Sequence, residues 1–498
     1  MRISLMVFGF NLCILTSIIH AQKKFGYQWV FGYDGGTIMN FNENPVRIDS
    51  CACIGYFDTA NTGICNSEGD IQFYVNGCQI VNGNHKYLEN GESLAPGWFS
   101  DSYCKGGGLP SHQGFLALPM PNIPHKYYVI YYGSDWIAKY ETLKGVFLYY
   151  ALIDMSQNNG LGEVVKKDNV ILRDTFSRGF IQAVRHANGR DWWVLFPDGK
   201  GTNCYYYFIL SPNGISQVQR QCIGEPWNVT EGLGQAVFSP DGTKYAMAKA
   251  FDGIRIYDFD RCTGLLSNAV SIQLPDSNLN LSGAAFSPNS RYFYHSARTK
   301  LFQFDTYSAD IEASRILIDT FDGKPFPYYG VFNQCYLGPD GKIYISGASS
   351  HKHLHVINQP NNPGLACDFR QHGISIPTFN YHSLPNMPHF QLGALIGSSC
   401  DSLTLSTSNL IQKESITLLT YPNPVINYIN IVLETDKAFD GQLQLVDPWG
   451  RNTRQMVHHF ESGRNTVSLD DLQGLSKGMW WLSLVNGSGC YTIKFVKQ

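Results

Sequence analysis

The chain has 498 residues, 44% hydrophobic and 14% aromatic, which is material for a large core and for two domains. Lys and Arg total 37 against 40 Asp and Glu, a net charge of −3, and no basic stripe of the kind a nucleic-acid binder carries is present. Charged residues are only 15%, whereas 48 glycines, 29 tyrosines and 30 phenylalanines suit many short strands joined by tight turns.

Met1-Arg2 followed by the apolar run Ile3 to Ile19 and by Ile19-His20-Ala21 reads as a signal peptide over 1–21, cleaved between Ala21 and Gln22. The run is too short for a membrane span, and no later stretch approaches the length of one. Cys13 falls within the leader. The remaining twelve cysteines are an even number in an exported chain, which predicts disulfides. Cys51, Cys53, Cys65, Cys78 and Cys104 crowd one segment without paired C-x-x-C knuckles, so stapled loops are favoured over zinc there, with the pairing left open.

From 22 to 397 the chain repeats. Ser239-Pro240-Asp241-Gly242, Ser287-Pro288-Asn289-Ser290 and Gly338-Pro339-Asp340-Gly341 each lie between apolar strands, where proline presets φ and Asp or Asn suits the next turn position. Steps of roughly fifty residues backward reach His186-Ala187-Asn188-Gly189, Met120-Pro121-Asn122 and Ser67-Glu68-Gly69-Asp70, with one longer interval that must hold an insertion. Units of that length with three or four strands predict an all-β β-propeller of seven blades, six or eight being the alternatives. Aromatic runs such as Tyr205 to Leu210 fit blades buried on both faces. Ring closure is expected from Tyr27 to Tyr33 joined with the stretch Ile374 to Ile396, which together complete the seventh blade.

Trp29 to Gly36, Gly69 to Gly77 with Glu89-Asn90-Gly91, and Val356 to Asn361 with Gly364 and Cys367 resemble blocks shared by secreted Bacteroidetes proteins. The cysteine-rich first unit departs from that pattern. Residues 398–416 are rich in serine and threonine and read as a linker. Beyond it, 417–498 shows short alternating strands, as of a small immunoglobulin-like β-sandwich. Tyr421-Pro422-Asn423-Pro424, then Asp447 with Gly450-Arg451, then Leu475 to Leu482 around Gly478, then a last strand with Lys494 and Lys497 resemble the C-terminal sorting domain of type IX secretion cargo. The resemblance implies recognition by the outer-membrane secretion machinery, removal of the tag by a sortase-like peptidase, attachment to anionic lipopolysaccharide, and delivery to the cell surface or medium.

Chemistry is sparse by comparison. His351, His353 and His355 alternate along one predicted strand and share a face, the arrangement of a weak zinc or copper site, but solvated or neighbour-satisfied histidines are the favoured reading. No metal and no cofactor is assigned. Trp192-Trp193 and Trp480-Trp481 offer sugar-stacking surfaces, yet neighbouring strand residues face opposite ways and core packing is preferred for the first pair. Asp198, Asp241 and Asp340 recur at turns and are read as turn formers. Gly106-Gly107-Gly108 lacks the Lys-Ser/Thr of a phosphate loop. No G-x-S-x-G or H-E-x-x-H motif occurs, so no catalytic residue is assigned. The expectation is an exported binding or adhesion module for a glycan or a surface protein, non-enzymatic, the alternative being a secreted polysaccharide-active enzyme with its site at the channel mouth.

Overall fold

Four of the predicted turns close with the hydrogen bond their residues favour: Gly189 N–H to His186 O, Gly242 N–H to Ser239 O, Ser290 N–H to Ser287 O and Gly341 N–H to Gly338 O, all 2.8–3.0 Å. Around these turns the computed structural model is all-β apart from the six-residue helix Trp98–Tyr103 and short 3-10 turns. It describes residues 23–228, 233–274, 281–325, 327–382, 384–401, 417–447, 452–486 and 489–498. The leader and most of the serine-rich stretch, together with Gly450, lie outside the described residues. The chain forms two compact units, Met1–Thr404 and Leu405–Gln498.

Among the described residues the first unit holds seven antiparallel blades: 28–50, 62–92, 115–176, 182–222, 234–272, 283–320 and 332–380. Blades 2 and 3 touch edge to edge through one parallel bridge, Glu89 to Glu163, and so share an eight-stranded sheet. Blade 3 carries the insertion, its strands Lys126–Ile137 and Thr142–Asp154 forming a long hairpin. Period-2 alternation explains why the blades read as apolar throughout. On Cys204–Ser211, Tyr206, Phe208 and Leu210 pack toward blade 3, while Tyr205 and Tyr207 pack toward blade 5.

Closure differs in detail from expectation. The amino end supplies three strands of blade 1 by itself, Gln28–Phe31, Thr37–Asn40 and Arg47–Ser50. Residues Phe369–Asn380 form the outer strand of blade 7, and Tyr33 N–H meets Phe379 O at 2.9 Å where the two blades adjoin. Only the chain after Asn380 turns inward. Leu384 joins the Trp29 cluster, and Phe390 and Met387 lie against Gly26, where a Cβ would come within 3.1 Å of Phe390. The two ends therefore meet in blade 1, with an irregular segment where an inner strand would lie. The prolines at 385 and 388 remove ladder donors and account for its irregularity.

Disulfides join Cys51 to Cys53, Cys78 to Cys104, Cys204 to Cys222 and Cys262 to Cys400. Cys65, Cys335 and Cys367 are buried thiols, and burial pushes Cys65 and Cys335 up to about 12, so they pack as small apolar groups.

The second unit is a two-sheet sandwich. Thr417–Tyr421, Ile429–Thr435 and Gly463–Leu469 form one sheet. Asn452–Phe460, Phe439–Val446, Gly478–Asn486 and Gly489–Lys497 form the other. Ile429, Ile431 and Leu433 meet Leu443, Leu445, Leu482 and Leu484 between them, as the alternation predicts.

Candidate functional site

The inner strands begin with amides that cross the channel. The Gln113 side chain exchanges bonds with Ala236 on blade 5, accepting its N–H at 2.7 Å and donating to its carbonyl at 2.9 Å. Gln235 does the same with Cys335 on blade 7 and also accepts from Ala284 N–H. Into this ring the inward-turning segment delivers Asn386, only 2% exposed. Its backbone N–H donates to Asn61 O at 2.7 Å and its carbonyl accepts the Thr62 hydroxyl at 2.8 Å. Its Nδ2 donates to Phe115 O and Ile181 O at 3.0 and 3.1 Å. Its Oδ1 accepts from Gln113 and Gln182 at 3.2 and 2.6 Å. Every polar atom of Asn386 is satisfied by blades 2, 3 and 4, as burial demands. The channel is thus plugged, leaving two separate mouths.

Below the plug, on the side of the Pro240, Pro288 and Pro339 turns, lies a cavity of about 380 Å³ lined mainly by Tyr27, Trp29, Phe238, Phe286, Leu337 and Phe390. The upper mouth, where blade connects to blade, is chemically richer. Asp58, His112 and Arg178 arrive on the loops leading into blades 2, 3 and 4, and His382 on the closing segment. Asn333 Nδ2 reaches His382 Nδ1 at 3.4 Å. Burial raises the Asp58 carboxyl to about 6, a shift the Arg178 guanidinium only partly opposes. Burial, reinforced by His382 and Arg178, lowers His112 to about 3, and burial lowers His382 to about 4, so both imidazoles are neutral near pH 7. Beside them runs a half-buried aromatic surface: Tyr33 lies 4.9 Å from Tyr56 and 5.7 Å from Phe379, and Tyr56 lies 6.1 Å from Tyr381, between ring centroids. The Gly106 to Gly108 run is a loop that supports this surface. A Cβ on Gly108 would come within 2.4 Å of Tyr56 O and 3.0 Å of Asp58 N, so only glycine lets the chain pass there.

The sequence candidates are placed as follows. Trp192 and Trp193 are both buried, the first toward blade 3 and the second toward blade 5, where its Nε1 donates to Arg261 O at 2.8 Å. The turn aspartates bond their own turns: Asp241 accepts Thr243 N–H at 2.9 Å, Asp340 accepts Lys342 N–H at 3.3 Å and Asp198 accepts Lys200 N–H at 3.1 Å. His351, His353 and His355 do share a face of His351–Ile357, but they are buried at 0, 3 and 0% exposure rather than solvated. His372 joins His353 and His355, and His351 stands apart from the group whose nitrogens converge. Nothing in the residue pattern pointed to Asp58, His112, Arg178 or His382, which come from four separate loops. The channel amides did leave a trace: Gln182 and Gln235 each stand four residues before a turn, at His186 and Ser239.

Six buried histidines, His112, His295, His351, His355, His382 and His389, are held at about 3 to 4 by burial, against an ordinary 6.5. The unfolded chain takes up these protons below pH 6.5 and the folded chain does not, so stability is full above 6.5 and falls as pH drops toward 4. Asp58 acts oppositely, since its raised value favours the folded state as pH falls from about 6 toward 4, but it is one group against six. The urea midpoint is expected to stay level from pH 8 to 7 and to drop steeply from 6 to 4; a level profile down to pH 4 contradicts this burial.

In the second unit the sorting-type residues gather on one edge. Val425 N–H donates to Val496 O at 2.7 Å, Gln498 N–H to Val425 O at 3.0 Å, and Val496 N–H to Asn423 Oδ1 at 2.9 Å. Tyr421 to Pro424 are thereby clamped to the final strand, on which Lys494 is exposed and Lys497 buried. Gly478, at φ +136°, opens the neighbouring strand and pairs with Lys497. Trp480 is buried, its Nε1 donating to Ser476 O at 2.9 Å, and Asp447 is buried at the end of Phe439–Val446.

Residues 419–498 match the family described as secretion system C-terminal sorting domain. No curated protein matches the chain. Solved structures similar to it include a protein from Lactobacillus plantarum (TM-score 0.41, 14% identity, 73% of this chain and 99% of that one). Another is the Cps50 (Swd1) β-propeller domain of Myceliophteria thermophila (TM-score 0.36, 11% identity, 66% and 93%). A third is PorZ of Porphyromonas gingivalis, a surface component of the type IX secretion system (TM-score 0.28, 10% identity, 95% and 74%). At these identities they say nothing of what this chain binds. The chain is a β-propeller protein whose last residues, 419–498, are a type IX C-terminal sorting domain, which directs it to the outer cell surface or the medium.

Proposed function

We propose that the protein is a surface-displayed or released recognition module whose upper propeller mouth binds a glycan. The observation that carries this reading is the half-buried surface of Tyr33, Tyr56, Phe379 and Tyr381 beside Asp58 and Arg178. Sugar rings present an apolar face to aromatic side chains and hydroxyls to carboxylates and guanidinium groups at their edge, which is the composition of this cup. The Asn386 plug gives the cup a floor. Recognition by the secretion machinery rests on the sorting domain; its removal and the anchoring of the product to lipopolysaccharide are part of this proposal.

The test is a panel of bacterial and host polysaccharides probed with the full secreted chain. Tyr56→Ala and Tyr381→Ala are expected to lower affinity at least tenfold, since loss of an aromatic anchor of about 1.4 kcal/mol suffices. Equal binding by wild type and both variants refutes the site. A second reading is favoured by one observation, a carboxyl held near 6 at the mouth that also carries two neutral histidines, which suits a general acid. Release of reducing sugar by wild type, and its loss in Asp58→Asn, would establish that reading instead.

A further inference from the structure

The histidine group of blade 7 shares no residue with the cavity or with the aromatic surface described above. His353 and His355 point the same way from strand His351–Ile357, and the outer strand brings in a third imidazole where its register shifts between the Leu354 and Val356 pairings. His372 there has a φ of +54°, and its ring centroid lies 4.2 Å from that of His353 and 4.9 Å from that of His355. One nitrogen from each of the three lies within 4.8 Å of the others. We propose that His353, His355 and His372 hold a divalent transition metal of the zinc and copper class, with Asp322 orienting His372.

Three features favour this. First, two of the rings are anchored through the nitrogen turned away from the group, as metal-bound imidazoles are. His372 Nε2 lies 3.2 Å from Asp322 Oδ1, leaving Nδ1 to coordinate. His355 Nε2 bonds Gly330 O at 2.9 Å, and its Nδ1, which now accepts the His372 N–H at 3.1 Å, would exchange that bond for the metal. Second, Gly330 keeps space open at the third ring: a Cβ there would stand 3.2 Å from His353 Nε2. Third, the rings of Phe321, Phe332 and Phe369 stand against His355 and wall the group. His351 is excluded, because its Nδ1 donates to Ser349 O at 2.6 Å and its Nε2 accepts Gly347 N–H at 3.1 Å. Bonds of about 2.1 Å in a tetrahedron set nitrogen separations of about 3.4 Å, so the rings need close only by an ångström or so.

The untagged secreted chain is dialysed against micromolar zinc or copper(II) and its metal content and affinity are measured. One ion per chain is expected, lost in His353→Gln and His372→Gln, with Asp322→Asn weakening affinity by roughly 10- to 100-fold. Should the histidine variants misfold, the Asp322→Asn affinity and the tetrahedral cobalt(II) absorption of the wild type decide. No uptake by wild type, uptake persisting in folded His353→Gln, or an unchanged Asp322→Asn affinity overturns the proposal.

Discussion

Asn386→Ala is expected to lower the stability of the propeller by about 3–5 kcal/mol, the cost of breaking a buried hydrogen-bond network. The substitution removes partners from the Gln113 and Gln182 amides and from the Phe115 and Ile181 carbonyls at once. Gln113 and Gln182 are only 2% and 5% exposed, so the lost partners are poorly replaced. With an unfolding entropy of about 2.1 cal/mol/K per residue, a propeller of this size should show a fall in Tm of roughly 5 °C. Asn386→Asp keeps the shape but cannot donate to the two carbonyls and buries a charge, so it should be at least as damaging. Calorimetry of the secreted chain measures both, and a shift below 1 °C in each would mean that the segment does not bind the ring together.

Removing 421–498 is expected to abolish delivery, with the propeller accumulating in the periplasm. The clamp between Asn423, Val425 and the final strand makes a sharper demand. Deleting 489–498 alone should be as severe, since it removes Phe495 from the sandwich core and the partner strand of Gly478–Asn486. Fractionation of culture, envelope and periplasm checks both truncations. Normal surface delivery of either one would show that the sandwich is dispensable for export.

Turn chemistry and alternation made much of this fold legible. Ser239 to Gly242 and its counterparts announce hairpins because proline, Asp and Gly have local conformational preferences that tertiary packing need not supply. The sandwich is readable for the same kind of reason, since Ile429, Ile431 and Leu433 mark one face by period alone. What stayed hidden is what packing decides. Arg47–Ser50 is a polar edge strand with no apolar signature, so the N-terminal contribution to blade 1 looks shorter than it is. Leu384 to Leu392 follows neither a strand nor a helix period, and its place in the channel depends on amides from distant blades. His372 reaches His353 only through a register shift in the outer strand, which a sequence pattern does not express.

The bond between Cys262 and Cys400 has a mechanical consequence. It fastens the chain to blade 5 just after the plug and just before the stretch leading to the tag. Tension applied to the tag during translocation would therefore be borne by sulfur and the body of blade 5, not by Asn386 and its neighbours. The wheel can be towed by its tail without its axle being drawn out.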